Sequence, residues 1–213
     1  MPETELEAAV AVVGAPWAES SFYDDAEGFT HIFWDENTLF RRLFDLLDLS
    51  SVVELSCGHG RHSERVAQMT KRLTLVDIFD ANLEFCRRRL ARFPFVNYIQ
   101  NNGYSFQPIA SDGATAIFCY DSMVHFSPSI VESYLNDAAR ILKPGGMALF
   151  HHSNYASSLD RHYGQNPHAR NHMTQLLFQK YAVAAGLSIR ESVVMGWGGV
   201  ESIDCVTLVR RPD

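Results

Sequence analysis

Ser51-Val-Val-Glu-Leu-Ser-Cys-Gly-His-Gly-Arg-His-Ser63 decides how this chain is read. Its first half is a short apolar run interrupted by one acid, Glu54, the pattern of a buried strand. The run breaks into a turn carrying Gly58 and Gly60, and a helix is expected from about His62. Glycines let backbone approach a ligand closely, and a helix N-terminus favours negative charge there. A strand running through such a loop into a helix is the place where open α/β sheets bind their ligands.

Working outward, apolar strand runs are expected at residues 51–56, 72–78, 96–100, 114–120 and 147–152, with helical patterns between most of them. Asp80 is expected to cap a helix whose apolar stripe is Leu83, Cys86, Leu90 and Phe93. Ser127-Pro128 reads as a cap followed by a first-turn proline, and Lys143-Pro-Gly-Gly146 as a helix stop. A helix over 173–185 ends at Gly186. Two strands, 187–195 and 203–210, finish the chain around a turn with Gly196, Gly198 and Gly199. Strands so close, with no helix between them, must pair antiparallel. The fold class is therefore α/β: a Rossmann-like seven-stranded mixed sheet, five parallel strands plus a C-terminal antiparallel hairpin, flanked by helices. Residues 37–213 form the main domain, opening with an amphipathic helix over 37–49. Residues 1–36 read as a lid or cap, with an acidic start and an aromatic stretch of Trp17, Phe22, Tyr23, Phe29, Phe33 and Trp34.

The chain has 213 residues, 46% of them hydrophobic, enough for one substantial core. A formal net charge of −7 argues against a nucleic-acid partner, which would require a basic surface. No apolar run approaches the roughly 18 residues of a membrane span, and the acidic start does not resemble a secretory signal. The four cysteines (Cys57, Cys86, Cys119, Cys205) are scattered without a Cys-x-x-Cys pair, so buried free thiols in a reducing, cytoplasmic setting are expected.

These residues together resemble the class I S-adenosylmethionine-dependent methyltransferases, from about Asn37 to the C-terminus. The resemblance matches Glu54, Gly58 and Gly60 to the family's acidic residue and glycine loop, with Ser56 at the place of the first glycine, tolerable if its φ stays negative. It implies that Asp77, ending strand two, holds the ribose hydroxyls and that Ile78 packs on the adenine. It implies that Asn102, beside Gly103, accepts from the adenine amino group, and that Tyr120 and Asp121, after strand four, border the methionine and the reacting centre. The implied cofactor is S-adenosyl-L-methionine and the implied reaction is in-line methyl transfer to a small molecule, a hydroxyl being favoured over an amine. Glu54 suits a cationic sulfonium and would repel a pyrophosphate, and the loop lacks the third glycine of dinucleotide sites. A nicotinamide-dependent oxidoreductase and an inactive binding scaffold are the alternatives.

Histidine has the intrinsic pKa to take a proton from an acceptor. His125 and His152, at the ends of strands four and five, are the catalytic candidates; His151 and His152 must face opposite sides of their strand, so at most one meets a ligand. Tyr23, His31, His168, His172 and Trp197 are candidates for the substrate rim. No metal site is expected, because His168 and His172 have ligand spacing but nothing to complete a set. A homodimer is left open.

Overall fold

A computed structural model describes residues 3–158 and 161–213. Met1 and Pro2 of the expected cap, and Leu159 and Asp160 of the polar loop after the fifth strand, lie outside the described residues.

The chain begins with α1 (Glu3–Gly14), α2 (Phe22–Asp25), α3 (Thr30–Trp34) and α4 (Leu39–Phe44). The alternating part follows: β1 (Val52–Leu55), α5 (Ser63–Ala67), β2 (Leu73–Asp77), α6 (Asp80–Arg89), β3 (Val96–Gln100) and β4 (Ala114–Cys119). It closes with α7 (Pro128–Ile141), β5 (Leu142–Ser153), α8 (Gln175–Ala184), β6 (Ser188–Trp197) and β7 (Val200–Arg210). The strands lie in the order β3-β2-β1-β4-β5-β7-β6, the first five parallel and the last two antiparallel to their neighbours. That is the expected mixed sheet.

Every residue of β1 and β4 is buried, because helices cover both faces of a parallel sheet and leave no wet side to alternate with. Two apolar layers result. One contains α7 and α8, with Tyr134, Phe150 and Phe178; the other joins α4 to α6 through Phe40, Phe44, Leu83 and Phe118. The chain runs outward from β1 to β3, then returns to place β4 on the other side of β1. The crevice this reversal opens at the carboxyl ends of β1 and β4 is the usual ligand position in such sheets.

Local signals explain most boundaries. Ser127 Oγ accepts from the Ile130 N–H at 3.5 Å, with Pro128 opening α7. Gly186 takes φ 84° after α8, a left-handed value that stops a helix. Three expectations change. The helix over 37–49 shortens to α4, capped by the Thr38 hydroxyl. Asp80 lies in the first turn of α6 while Phe79 stands at the cap. β5 starts at Leu142, so Lys143-Pro-Gly-Gly146 runs within the strand as a register shift against β4.

The N-terminal residues form a helix that packs on the domain. Val10 of α1 lies against Gly103, where any Cβ would come within 2.5 Å of it. The Tyr163 hydroxyl donates to the Val13 carbonyl at 3.0 Å, and Tyr104 donates to Glu3 at 2.8 Å. No helix among the described residues is long and apolar enough to cross a membrane.

Candidate active site

The loop after β1 is shaped by backbone conformation. Ser56, Gly58 and Gly60 all have positive φ, at 57°, 53° and 79°. Ser56 was expected to keep a negative φ; it adopts the left-handed region, so this position makes the demand a glycine would meet more cheaply. Gly58 presents its N–H to Asp77 Oδ2 at 3.0 Å, and a Cβ there would lie 2.9 Å from the Tyr23 ring. Gly60 turns its back to the cleft and packs on the Cys86 sulfur.

Glu54 stands beneath this loop. It is 3% exposed and accepts from the Ser63 hydroxyl at 2.6 Å. Burial pushes its carboxyl up to about 8, against the lowering effect of that bond and of the Arg61 and Arg89 charges. It braces the loop from behind, so direct contact between Glu54 and a ligand is not what the fold provides.

A cleft opens in front of the loop, at the carboxyl edge of the sheet. Asp77 lies on its floor. The carboxylate takes the Gly58 N–H on Oδ2, and the Phe79 N–H and the Asn82 amide on Oδ1, at 3.0–3.1 Å. The Ile78 N–H also lies against this carboxylate, so its donors come from the loop after β1, the turn after β2 and α6. Burial pushes Asp77 above the usual carboxylate range, with those bonds opposing. Asn82 also donates to the Tyr23 hydroxyl at 3.2 Å, and burial raises that phenol to about 12. Val13, Gly14, Ile78 and Phe79 make the apolar wall beside Asp77.

The other end holds Tyr120, Asp121, Ser122 and His125, under Trp17, Phe22 and Phe126. His125 Nδ1 bonds the Ala169 carbonyl at 2.8 Å, so Nδ1 carries the ring proton and Nε2 keeps its lone pair. Burial pulls His125 down to about 4, the Ala169 carbonyl opposing, so the ring is neutral at pH 7. Trp17 packs on it with centroids 4.6 Å apart. Arg61 reaches the Asp121 carboxylate at 2.7 Å and the Ala26 carbonyl at 2.9 Å.

The structure thus brings Ser56, Gly58, Asp77, Ile78, Tyr120, Asp121, Tyr23 and His125 to one cleft. It places other candidates elsewhere. Asn102 spends its amide oxygen on the N–H groups of Tyr104 and Ser105, closing its own turn, and Gly103 lies beneath Val10 and Ile78. His152 is fully buried on the opposite face, stacked 3.8 Å from Phe178 and bonded to Thr207. Burial pulls it down to about 3, as expected of a core imidazole. His31 is exposed on α3, His168 bonds the Gly198 carbonyl, and His172 bonds the Ser157 carbonyl. Trp197 stacks on Phe33 at 5.8 Å, within the packing behind the cleft. Arg61, Trp17 and Gly14 were missed. Arg61 follows the glycine loop directly, so its charge beside that motif was the available signal; α1 left none pointing to the cleft.

A family pattern described as a methyltransferase domain matches residues 52–146. The fold around it superposes, over 99% of both chains, on a geranyl diphosphate C-methyltransferase from Streptomyces coelicolor A3(2), with TM-score 0.71 and 14% identity. The fold is therefore that of methyltransferases of known structure, with the methyltransferase-domain pattern on its first four strands. NodS, an N-methyltransferase from Bradyrhizobium japonicum WM9 solved with S-adenosylhomocysteine, superposes over 99% of this chain with TM-score 0.62 and 17% identity. A demethylmenaquinone methyltransferase from Tropheryma whipplei (strain Twist) is 31% identical over 96 residues, 45% of this chain and 38% of that protein. A ubiquinone biosynthesis O-methyltransferase from Stutzerimonas stutzeri (strain A1501) is 24% identical over 138 residues, 58% of this chain and 59% of that protein. The chain therefore matches about two fifths of the first relative's length and three fifths of the second's.

Proposed function

We propose that this chain is a class I methyltransferase that moves the methyl group of S-adenosylmethionine to a hydroxyl of a small, largely apolar acceptor. The observation that carries the reading is one cleft with a buried carboxylate at one end and a neutral imidazole with a bare nitrogen at the other. The chemistry of the donor set fits the cofactor. Asp77 presents a carboxylate to the cleft where a ribose hydroxyl would lie, and Val13, Ile78 and Phe79 offer an apolar wall for a purine. The bound cofactor would supply a methyl group already activated on a sulfonium.

What the chain must add is alignment and a place for one proton. Trp17, Phe22, Tyr23 and Phe126 give flat apolar surface on which a ring-bearing acceptor can lie. His125 Nε2 receives the hydroxyl proton. With its pKa drawn down to about 4, His125 is a weak base toward a resting alcohol or phenol. It takes the proton as the oxygen becomes acidic on forming its bond to carbon. The Stutzerimonas relative is an O-methyltransferase, which supports a hydroxyl acceptor. Residues 1–36 serve as the lid, with α1, Trp17 and Tyr23 over the cleft.

Calorimetry with S-adenosylhomocysteine tests the cofactor half. Wild type is expected to bind, and Asp77→Ala to bind ten- to a hundredfold more weakly, about 1–3 kcal/mol for lost buried hydrogen bonding. Absence of binding, or stabilisation by NADH instead, would refute it. Transfer of a labelled methyl group to a panel of phenols and matching anilines tests the acceptor half.

A further inference from the structure

The reacting end of the cleft is fixed by polar groups that do not line it. Asp121 sits two residues beyond β4 with φ 58°, a backbone conformation that costs an aspartate free energy and persists only when its surroundings impose it. Its N–H donates to His151 Nδ1 at 3.1 Å. A nitrogen that accepts an N–H bears no proton, so the proton of the neutral ring is on Nε2. Nε2 then donates to Asp204 Oδ2 at 3.0 Å. Asp204 also holds Arg170 through two bonds, Nε to Oδ1 at 2.8 Å and Nη2 to Oδ2 at 2.6 Å. His151 and Asp204 are 0% exposed and Arg170 2%.

The sheet makes this contact. Ser153 of β5 pairs with Asp204 of β7, so His151, two residues earlier, shares a face with Asp204 and meets it diagonally. Asp204 is charged: burial pushes its carboxyl up, but the His151 and Arg170 bonds outweigh that and hold it at about 2. Arg170 in turn lies over the Trp197 ring at 5.4 Å. An ion pair this buried is a poor source of net stability compared with apolar packing, though removing one partner is costly. What it does supply is a fixed ring orientation and a fixed tautomer, as a carboxylate behind a histidine does in metal sites.

We infer that His151 is a positioning residue: held by Asp204 and Arg170, it sets the backbone of Asp121 and, through the Asp121 carboxylate, the Arg61 guanidinium at the reacting end of the cleft. His151 itself takes no proton from substrate, since Nδ1 is occupied by the Asp121 N–H and Nε2 by Asp204. The functional importance of this position rests on the methyltransferase reading above; the relay does not.

Two substitutions separate the two halves of the ring. In His151→Asn the side-chain oxygen stands near the place of Nδ1 and can still accept from Asp121. In His151→Gln the terminal amide stands near the place of Nε2 and can still donate to Asp204, while the Asp121 N–H loses its acceptor. Amide hydrogen exchange and S-adenosylhomocysteine calorimetry on both variants form the test. Exchange at Asp121 should be at least tenfold faster in His151→Gln than in wild type, and within about threefold of wild type in His151→Asn. Affinity for S-adenosylhomocysteine should fall in the same order, without following the melting temperatures. Equal exchange at Asp121 in the two variants, or equal loss of affinity tracking stability, would overturn the inference. A wild type that binds no S-adenosylhomocysteine would overturn the cofactor reading instead, and exchange at Asp121 would still decide the relay.

Discussion

The two ends of the cleft are built by different means. Around β1 and β2 the chain works with backbone: three positive-φ residues within five positions, and a carboxylate tied to the N–H groups of Gly58 and Phe79. Around β4, β5 and β7 it works with side chains drawn from separate stretches: Arg61 on the Asp121 carboxylate, His151 on the Asp121 N–H, and His151 and Arg170 on Asp204. A backbone cradle is made by consecutive residues and recognises what many ligands share. A side-chain network is assembled across the sheet and can be retuned one residue at a time. Under the proposed function, the common part of the reaction belongs to the first end and the choice of acceptor to the second.

The contrast can be broken most severely at Asp204. Asp204→Ala strands a buried guanidinium and removes the anchor of His151, and should cost about 3–5 kcal/mol of stability. Urea denaturation would measure it; a loss under 1 kcal/mol would mean that the network is not held as described. Next comes the pair of histidines. His125→Ala should lower turnover at least a hundredfold, about 2.7 kcal/mol of barrier, and leave cofactor affinity in place. His152→Ala should act on stability, because it opens a hole beside Phe178. Equal effects of the two on turnover would erase the distinction between the faces.

At the backbone end, pH is the sharper probe. The Glu54 pKa is about 8 in the fold and near 4.5 in the unfolded chain, so the folded state keeps a proton that the unfolded state releases. Its contribution is present in full below pH 4.5 and is lost as pH rises toward 8. Glu54→Gln carries no such dependence and can still accept from Ser63. Its melting temperature relative to wild type should climb between pH 5 and pH 8, by an amount corresponding to about 2–4 kcal/mol. Parallel pH profiles for the two proteins would mean that Glu54 is ionised in the fold. The smallest effect is at Ser56. Ser56→Gly removes the left-handed strain at φ 57° and gains less than about 1 kcal/mol, because glycine has more freedom to lose on folding. A loss of stability would show that the serine side chain, not its backbone, matters there.

The same contrast explains what could be read in the residues beforehand. The strands were legible because each is an apolar run between turn signals, and residues 96–100 carry β3 with the expected ends. Asp77 was legible because position at the end of β2 suffices to place it. Strand alternation at His151 and His152 said that only one could meet the site side, yet which one depends on where α8 packs, and nothing within β5 encodes that. Asn102 was misassigned because an amide after β3 reads equally well as a ligand and as a turn-closing group. The role of α1 was hidden for a similar reason: Val10 and Val13 look like any apolar helix residues until Gly103 and Tyr163 arrive from 93 and 150 positions away.

Arg61 ties the two constructions together. One of its nitrogens grips the Ala26 carbonyl in the segment roofing the cleft, and another grips Asp121 on the opposite bank. Lifting that roof far enough to admit a solute must tear the first grip and leave the cation hinged on the second. On the proposed lid reading, admission and alignment are mechanically coupled through a single side chain: closing the passage steadies the far bank in the same movement.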